Sequence, residues 1–434
     1  MYKINKAEEL TTLKVAKIIQ AFRFNEQPKL QRYYDYYLGN QDILKKEYAD
    51  SSKPISKVVK NYCYSIVNNY NGYITGIPIT YSSDDDIASL MDIFNYNDYE
   101  NEDSLWLRNA LIFGIGYELC YIDEEKKERF KALDPREVIP VYDDTLEQNL
   151  LYVIRFYEIP SYEPTTRSSD YRVEVYSDIG ISIYRSDATF TSFTLLEQYP
   201  HYFQQVPISE FPLNDERASI FDKVMGLQNA YNELLSSEIS DFSSFVDAYL
   251  VLKGTGIAEE DLPLMRENRV LVMDAEDSAE YLTKNINDTQ IENMLQNIND
   301  SIHVISNSPD FNDEKFLAQS GIAMRYKLVG FENTSASIVA NMIKAIQKRI
   351  ELLYAVMGVI SGDAFADVKI HFTRNLPQDD TAILSLVNSL RGLVSDRTLL
   401  SMIPYIEDPD AELQAIQEQK ATYINMYSFG NEDE

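Results

Sequence analysis

The chain is poor in the residues that build metal and redox sites. Its 434 residues include two cysteines, Cys63 and Cys120, and three histidines. Structural zinc is held by four ligands that are usually Cys and His at characteristic spacings, so these few residues are not expected to build a zinc cage unaided. We expect two reduced, buried thiols and no bound metal or cofactor.

Long apolar runs and an excess of positive charge are also missing. The longest apolar run, Leu352–Ile360, is about half of the ~20 residues that a bilayer span needs. The opening residues MYKINKAEELTTLK are polar and charged, unlike a signal peptide. We therefore expect a soluble protein that is made in the cytoplasm and has no membrane partner.

The balance of charge limits the ways in which the chain can bind nucleic acid. Lys and Arg number 39 against 69 Asp and Glu, so the formal net charge is −30. Ordinary binding to duplex DNA uses clustered Lys and Arg on the phosphates, which this composition argues against. The charge does not exclude DNA that passes the protein without being held.

The short motifs of common enzyme classes are absent from the sequence. There is no GxxxxGK[ST] phosphate loop, no HExxH, no GxSxG and no CxxC. The three histidines, His201, His303 and His371, are far apart in sequence, so each is interpreted as a packing or hydrogen-bonded residue. These absences predict that the chain is not an enzyme.

One acidic stretch leaves an enzymatic alternative open. Residues 84–103 carry eight Asp or Glu and no Lys or Arg. Paired carboxylates can act in hydrolysis when one of them has a raised pKa in a cleft. The run Asp84–Asp86 is better explained by carboxylates that stabilise the start of a helix. A carboxylate-dependent hydrolase is kept as the alternative.

Periodicity predicts a mainly helical α+β fold. Helical spacing predicts helices at Leu10–Ile19, Gln31–Tyr37 and Ser56–Tyr73, the second of them ended by Gly39. From Leu150 to Phe211 the pattern has mostly period two, which predicts an antiparallel meander that the segment 207–212 closes.

The second half alternates long helices with short interruptions. One helix is predicted from Asn214 to about Leu252 and another over Asp288–Ser306, with a small insert between them. The polar residues 307–321 form a loop, which at such a length inside a compact fold is usually functional or mobile. A long helix then follows from Ile322 to Met357, and shorter helices close the chain.

Several segments, in this order, resemble phage portal proteins of the Gp6-like (SPP1-type) family. They are YYLGNQDIL at 36–44, NYNGYITGIPITY at 69–81, LDPREVIPVYD at 133–143, SDFSSFVDAYLVLKG at 240–254 and SGIAMRYKLVGFE at 320–332. The resemblance implies a portal fold with an antiparallel β wing, long stem helices, a small α/β clip and a helical crown. The implied bounds are wing 1–221, stem helix 222–253, clip 254–283, stem helix 284–306, tunnel loop 307–321, wing 322–376 and crown 377–434.

The resemblance also implies function and partners. Twelve subunits would form a ring at one capsid vertex, made in the host bacterium and built into the virion, through which double-stranded viral DNA enters and leaves. The large terminase subunit, a head-to-tail connector or adaptor, the major capsid protein and the scaffolding protein would be the partners. The tunnel-loop residues expected to face DNA are Asn307, Asp310, Asn312, Lys315 and Gln319. Those expected at the clip interface are Glu259, Glu260, Arg266 and Arg269. A second alternative is another ring-forming virion protein or adaptor with no DNA role.

Overall fold

More of the described chain is helical than extended, and strands and helices are mixed along the sequence, as the α+β prediction requires. The computed structural model describes residues 2–47, 56–160, 170–245, 249–253, 278–282, 288–311, 321–358, 364–375, 380–403, 406 and 409–428. By its internal contacts the chain divides into two units, Met1–Asn375 and Leu376–Glu434.

The N-terminal segment is a short strand followed by helices. They are β1 (Tyr2–Ile4), α1 (Thr12–Asn25), α2 (Gln27–Leu38) and α3 (Asp42–Lys45). The prediction that Gly39 ends α2 is confirmed. Its φ of 88° is a left-handed conformation that glycine adopts without a steric penalty, and its N–H donates to the carbonyl of Tyr36 at 3.2 Å.

The next helices differ from the prediction at one boundary. The elements are α4 (Tyr62–Thr75), β2 (Thr80–Ser82), α5 (Ala88–Tyr96) and α6 (Tyr99–Phe113). A helix from Ser56 was predicted, but residues 56–61 are extended. Asn61 begins α4 because its side chain accepts the backbone N–H of Tyr64 at 3.1 Å. The extended residues find their hydrogen-bond partners on a distant helix instead.

Two sheets follow. Their strands are β3 (Ile115–Ile122), β4 (Glu128–Leu133), β5 (Val138–Asp143), β6 (Leu150–Ile159), β7 (Asp170–Tyr176), β8 (Gly180–Ser186), β9 (Phe193–Pro200) and β10 (Ile208–Pro212). A six-stranded sheet has the order β1-β5-β6-β7-β8-β9, and a three-stranded sheet has the order β10-β3-β4. The antiparallel meander is confirmed. The prediction that 207–212 closes it is wrong, because β10 pairs with β3 in the other sheet.

Strands β5 to β8 of the six-stranded sheet carry buried side chains on both faces, whereas the edge strand β9 is mostly exposed. One face packs against α1 through a cluster that contains Ile19, Phe22 and Ile154. The other face packs against the three-stranded sheet through a cluster that contains Leu119 and Val153. The period-two pattern along the strands sends alternate side chains into these two apolar layers.

The two helices predicted as a stem are present, but the first is shorter than predicted. A 3₁₀ turn (Asp222–Val224) leads into α7 (Met225–Phe245), and α8 spans Asp288–Ser306 as predicted. The prediction of helix to about Leu252 is wrong. Tyr249–Lys253 forms strand β11, which pairs antiparallel with β12 (Ser278–Leu282). The run YLVLK has the aromatic and β-branched content of a strand, and the partner strand satisfies its backbone groups.

The remaining elements complete the two units. The long helix α9 spans Gly321–Met357, and β13 (Lys369–His371) pairs antiparallel with β2. In the second unit, helices α10, α11 and α12 span Asp380–Leu390, Asp396–Ser401 and Pro409–Ser428. Among the described residues, no helix is both long and apolar enough to cross a membrane.

Candidate functional site

A groove lies where α7, α8 and α9 meet. It has a volume of about 1280 Å³ and is lined along one side by successive turns of α8. Glu292, Gln296, Asn299 and His303 point into it from α8 because residues three and four apart share a helix face. Phe331 of α9, which is buried, lines the apolar part.

The polar turn after α8 is held in place by α9. Asn307 has a left-handed backbone, with φ of 52°, which asparagine tolerates better than most residues. Its side-chain amide donates to Thr334 Oγ1 at 3.2 Å. Gly330 leaves room for this side chain, since a Cβ there would lie 2.7 Å from the Asn307 Oδ1. These contacts fix the direction in which the chain leaves α8.

Further hydrogen bonds anchor the same turn to α4 and to α8. The hydroxyl of Tyr70 donates to the carbonyl of Ser306 at 2.9 Å, and the amide of Asn69 donates to Ser308 Oγ at 3.1 Å. His303 Nδ1 lies 2.8 Å from the carbonyl of Ser308, and its Nε2 lies 3.8 Å from Asp310 Oδ2. The first residues of the predicted tunnel loop are therefore a structured turn.

The charge of the groove is mixed. Its lining includes three carboxylates and two lysines: Glu292, Asp300, Asp310, Lys60 and Lys327. A surface of this kind lacks the basic stripe that grips a phosphate backbone. It can make scattered polar contacts with a polyanion without holding it strongly.

The structure brings two of the predicted DNA-facing residues together. Asn307 and Asp310 both line the groove. Asn312, Lys315 and Gln319 lie outside the described residues, as do the predicted clip residues Glu259, Glu260, Arg266 and Arg269.

The acids at 84–103 do not form the cleft that the hydrolase alternative needs. Asp103 is buried and ion-paired with Arg349, whose guanidinium also binds Glu118 through Nε at 2.7 Å and Nη2 at 2.6 Å. Burial raises the pKa of Glu118 to about 7 and also raises that of Asp103. Both carboxylates are at most 1% exposed, so no substrate reaches them. In the acidic run, Asp86 accepts the N–H of Ala88 at the start of α5, as predicted.

A ladder of side chains on α7 was not predicted from the sequence. The extended residues 56–61 and Tyr62, the first residue of α4, run antiparallel to this helix. Their alternate backbone N–H groups donate to side chains spaced four residues apart. The pairs are Ser56 with Ser240, Val58 with Ser236, Lys60 with Asn232 and Tyr62 with Gln228. The feature of the sequence that could have revealed this ladder is the four-residue spacing of these polar side chains along an otherwise apolar helix face.

Nothing in the described part of the chain suggests a metal centre. No group of three or more His, Cys, Asp or Glu side chains is arranged there to hold an ion. Both cysteines are unpaired thiols and buried, as predicted.

Comparison with known proteins identifies similar chains. The family model described as phage portal protein, SPP1 Gp6-like, matches residues 16–426. The portal protein of Bacillus phage SPP1 is 24% identical over 453 aligned positions, which cover 97% of this chain and 88% of that protein. The portal protein of Clostridium phage phiCD119 is 21% identical over 437 positions, with coverage of 94% and 96%.

Proposed function

Since the chain belongs to the SPP1 Gp6-like family of phage portal proteins, we propose that it is one subunit of a twelve-membered ring that conducts double-stranded DNA. Portal proteins are structural components of the phage virion and not enzymes, and they work as oligomers associated with the capsid. The ring would stand at one capsid vertex and serve both packaging and ejection.

The observation that carries this proposal is the order of elements between Met225 and Met357. Helix α7, the paired strands β11 and β12, helix α8, a fixed polar turn and helix α9 follow one another. The strand pair brings residues 253 and 278 together, so the insert between them leaves and returns at one place. This supports the assignment of α7 and α8 to the stem and of 254–283 to the clip.

The same comparison of element order with the portal fold assigns the rest of the chain. The sheets, α1–α6 and the segment 322–376 form the wing, and the unit from residue 377 onward forms the crown. The clip, with Glu259, Glu260, Arg266 and Arg269, faces the large terminase subunit during packaging and the head-to-tail connector afterwards. The major capsid protein and the scaffolding protein surround the ring during assembly.

The segment 307–321 is the tunnel loop, and its contacts with DNA are weak. Its first residue, Asn307, is anchored to α9. Lys315 stands beside Asp310, Asp313 and Glu314 in the sequence. With acids outnumbering bases, the loop repels phosphates, and a moving duplex forms no long-lived contacts. Asn307, Asn312, Lys315 and Gln319 then touch the backbone without sequence preference.

A packaging assay tests the role of the loop. The triple substitution Asp310→Asn, Asp313→Asn and Glu314→Gln removes the repulsion, so DNA moves less freely and the packaged length falls. Lys315→Gln removes the only base and weakens retention of packaged DNA. Lys344→Gln, an exposed lysine in the middle of α9, is the matched control. Packaging and release that match the unmodified protein in both loop variants would rule out DNA contact by the loop.

Particle mass tests the ring separately. A twelve-membered ring has a mass of about 600 kDa, twelve times the 50.0 kDa chain. Native mass spectrometry of the purified protein distinguishes it from a monomer. A particle that stays at 50.0 kDa under all assembly conditions contradicts the ring but leaves the local structure intact.

A further inference from the structure

The outer edge of the six-stranded sheet has the properties of a peptide-binding site. Strand β9 is the last strand of that sheet, and among the described residues no strand pairs with its outer edge. Natural proteins usually protect such an edge with lysine, proline or a covering loop, because its free N–H and C=O groups accept another strand. Strand β9 ends on Pro200 and its pairing with β8 is irregular at Leu196, yet its apolar side chains are exposed: Leu195 is 51%, Leu196 48% and Tyr199 45% accessible.

A pocket opens beside the end of this strand. It has a volume of about 490 Å³ and lies between the two sheets. Tyr199 of β9 and Tyr202, which is 69% exposed, stand at the strand end of the pocket. Leu119, Leu133 and other apolar side chains line its interior. The size suits one or two side chains of a partner, and not an entire domain.

The charges in the pocket favour an anion. Lys131, Arg155 and Glu174 line it. The carboxylate of Glu174 is already saturated, since it accepts from Arg155, Arg172, Tyr157 and Tyr176 at 3.2, 2.9, 3.3 and 2.8 Å. Two guanidinium groups contact this one carboxylate, and within the lining of the pocket the bases Lys131 and Arg155 outnumber the acid Glu174.

The bases of the pocket have spare hydrogen-bonding capacity. The buried Nε–H of Arg155 has no hydrogen-bond partner among the described residues. Lys131 is exposed and forms no ion pair with a described residue. A buried donor without a partner is costly. Lys131 is the exposed base that a carboxylate entering the pocket can pair with, and Arg155 adds an unused donor in the same lining.

We propose that this face of the wing binds an extended peptide segment of a partner protein, which adds a strand to β9 and places an apolar residue with its carboxylate in the pocket. Main-chain hydrogen bonds to an exposed edge supply affinity, and a pocket for a side chain supplies specificity. The inference concerns the wing alone and does not depend on passage of DNA through the ring.

Fluorescence anisotropy of the full-length protein tests this site. The probe is an N-terminally labelled peptide, Thr-Val-Thr-Ile-Thr-Val-Thr-Ile, with a free C-terminal carboxylate. We expect saturable binding that weakens at least about tenfold when the carboxylate is converted to an amide. Three single substitutions should each weaken the affinity for this peptide about threefold or more. They are Leu195→Lys in the strand edge, Tyr202→Ser at the rim of the pocket and Lys131→Gln, which removes a positive charge. Leu146→Ser, at a residue that is 97% exposed in the β5–β6 turn, leaves it unchanged.

Three outcomes would overturn the proposal. Equal affinity for the peptide with a free carboxylate and for its C-terminal amide shows that the pocket does not recognise a carboxylate. Full displacement by 4-methylpentanoate at the peptide's own concentration assigns the pocket to a small free acid. Absence of peptide binding, together with a change in particle mass for Leu195→Lys but not for Leu146→Ser, assigns the face to a second copy of the chain. Arg155→Gln tests the second base of the pocket, which is partly buried, and Lys131→Gln keeps the test valid if that variant does not fold.

Discussion

The side-chain amide of Asn232 accepts the backbone N–H of Lys60 at 3.0 Å, which makes it one rung of the ladder that joins α7 to the segment before α4. The same amide donates to Gln41, whose side chain is also buried. One side chain of α7 thus forms hydrogen bonds with two segments, which lie about 190 and 170 positions away in sequence. Helix α7 is held to the N-terminal segments by directional hydrogen bonds, which fix its axial register more strictly than apolar contact alone would.

Asn232→Ala is expected to lower the free energy of unfolding by about 2 kcal/mol, because it leaves the Lys60 N–H and the Gln41 oxygen without partners in a buried site. Urea denaturation followed by circular dichroism measures the loss. Ser237→Ala, at an exposed position of the same helix, is the control and should change stability little. If the two variants unfold at the same urea concentration, the ladder contributes nothing to stability.

Two glycines in helices should respond in opposite ways to alanine. Gly226 in α7 has open space where a Cβ would stand, so Gly226→Ala should stabilise the protein by about 0.5–1 kcal/mol. Gly330 faces the Asn307 side chain, so an added Cβ must displace the turn. Gly330→Ala should therefore leave the stability unchanged or lower it. Thermal unfolding of both variants checks the difference. An equal rise in Tm for both would show that Asn307 is not held against α9.

The buried cluster around Arg349 makes stability depend on pH. The pKa of Glu118 is raised from 4.5 to about 7 by burial, so the folded chain binds this proton more tightly than the unfolded chain does. The free energy of unfolding therefore falls as the pH rises from about 4.5 to about 7, by at most about 3 kcal/mol from this group. Above pH 7 the contribution of this group changes little. The raised pKa of Asp103 acts in the same direction.

Glu118→Gln isolates this effect. The variant keeps the shape of the side chain but cannot ionise, so its stability relative to the unmodified protein should rise between pH 5 and pH 8. Urea unfolding at each pH measures the difference. Parallel pH profiles for the two proteins would mean that Glu118 is not the group that titrates. Glu125→Gln, at an exposed position in the β3–β4 turn, controls for the loss of one surface charge.

Much of the fold was predictable from local signals, whereas the contacts between distant segments were not. The end of α2 at Gly39 and the whole of α8 followed from turn chemistry and helical period. The strand Tyr249–Lys253 was missed because its apolar pattern fits a helix as well as a strand, and only the pairing with β12 decides between them. The extended residues 56–61 were predicted to be helical for the same reason. Their hydrogen-bond partners lie on α7, far away in sequence, and no local pattern indicates them.

The candidate site shows the same limit. The polar content of 307–321 marked the loop, but it did not reveal that Asn307 is fixed by Gly330 and Thr334. That contact joins the end of one helix to the interior of another, and no local pattern encodes it. The four-residue spacing from Gln228 to Ser240 was visible in the sequence, although its partner was an extended segment that periodicity had assigned to a helix.

The two thiols should be unreactive in the native protein. Cys63 of α4 and Cys120 of β3 have no exposed surface, and burial raises the pKa of Cys63 to about 12 and that of Cys120 well above its usual range. Because the thiolate is the nucleophile, both depressed ionisation and lack of access slow the reaction. Treatment with Ellman's reagent at pH 8 should modify no cysteine in buffer and two per chain in 6 M guanidinium. Rapid native modification of Cys63 alone would show that α4 is not packed against its neighbours. Rapid modification of Cys120 alone would show that the pocket beside β9, which this residue lines, opens to its base.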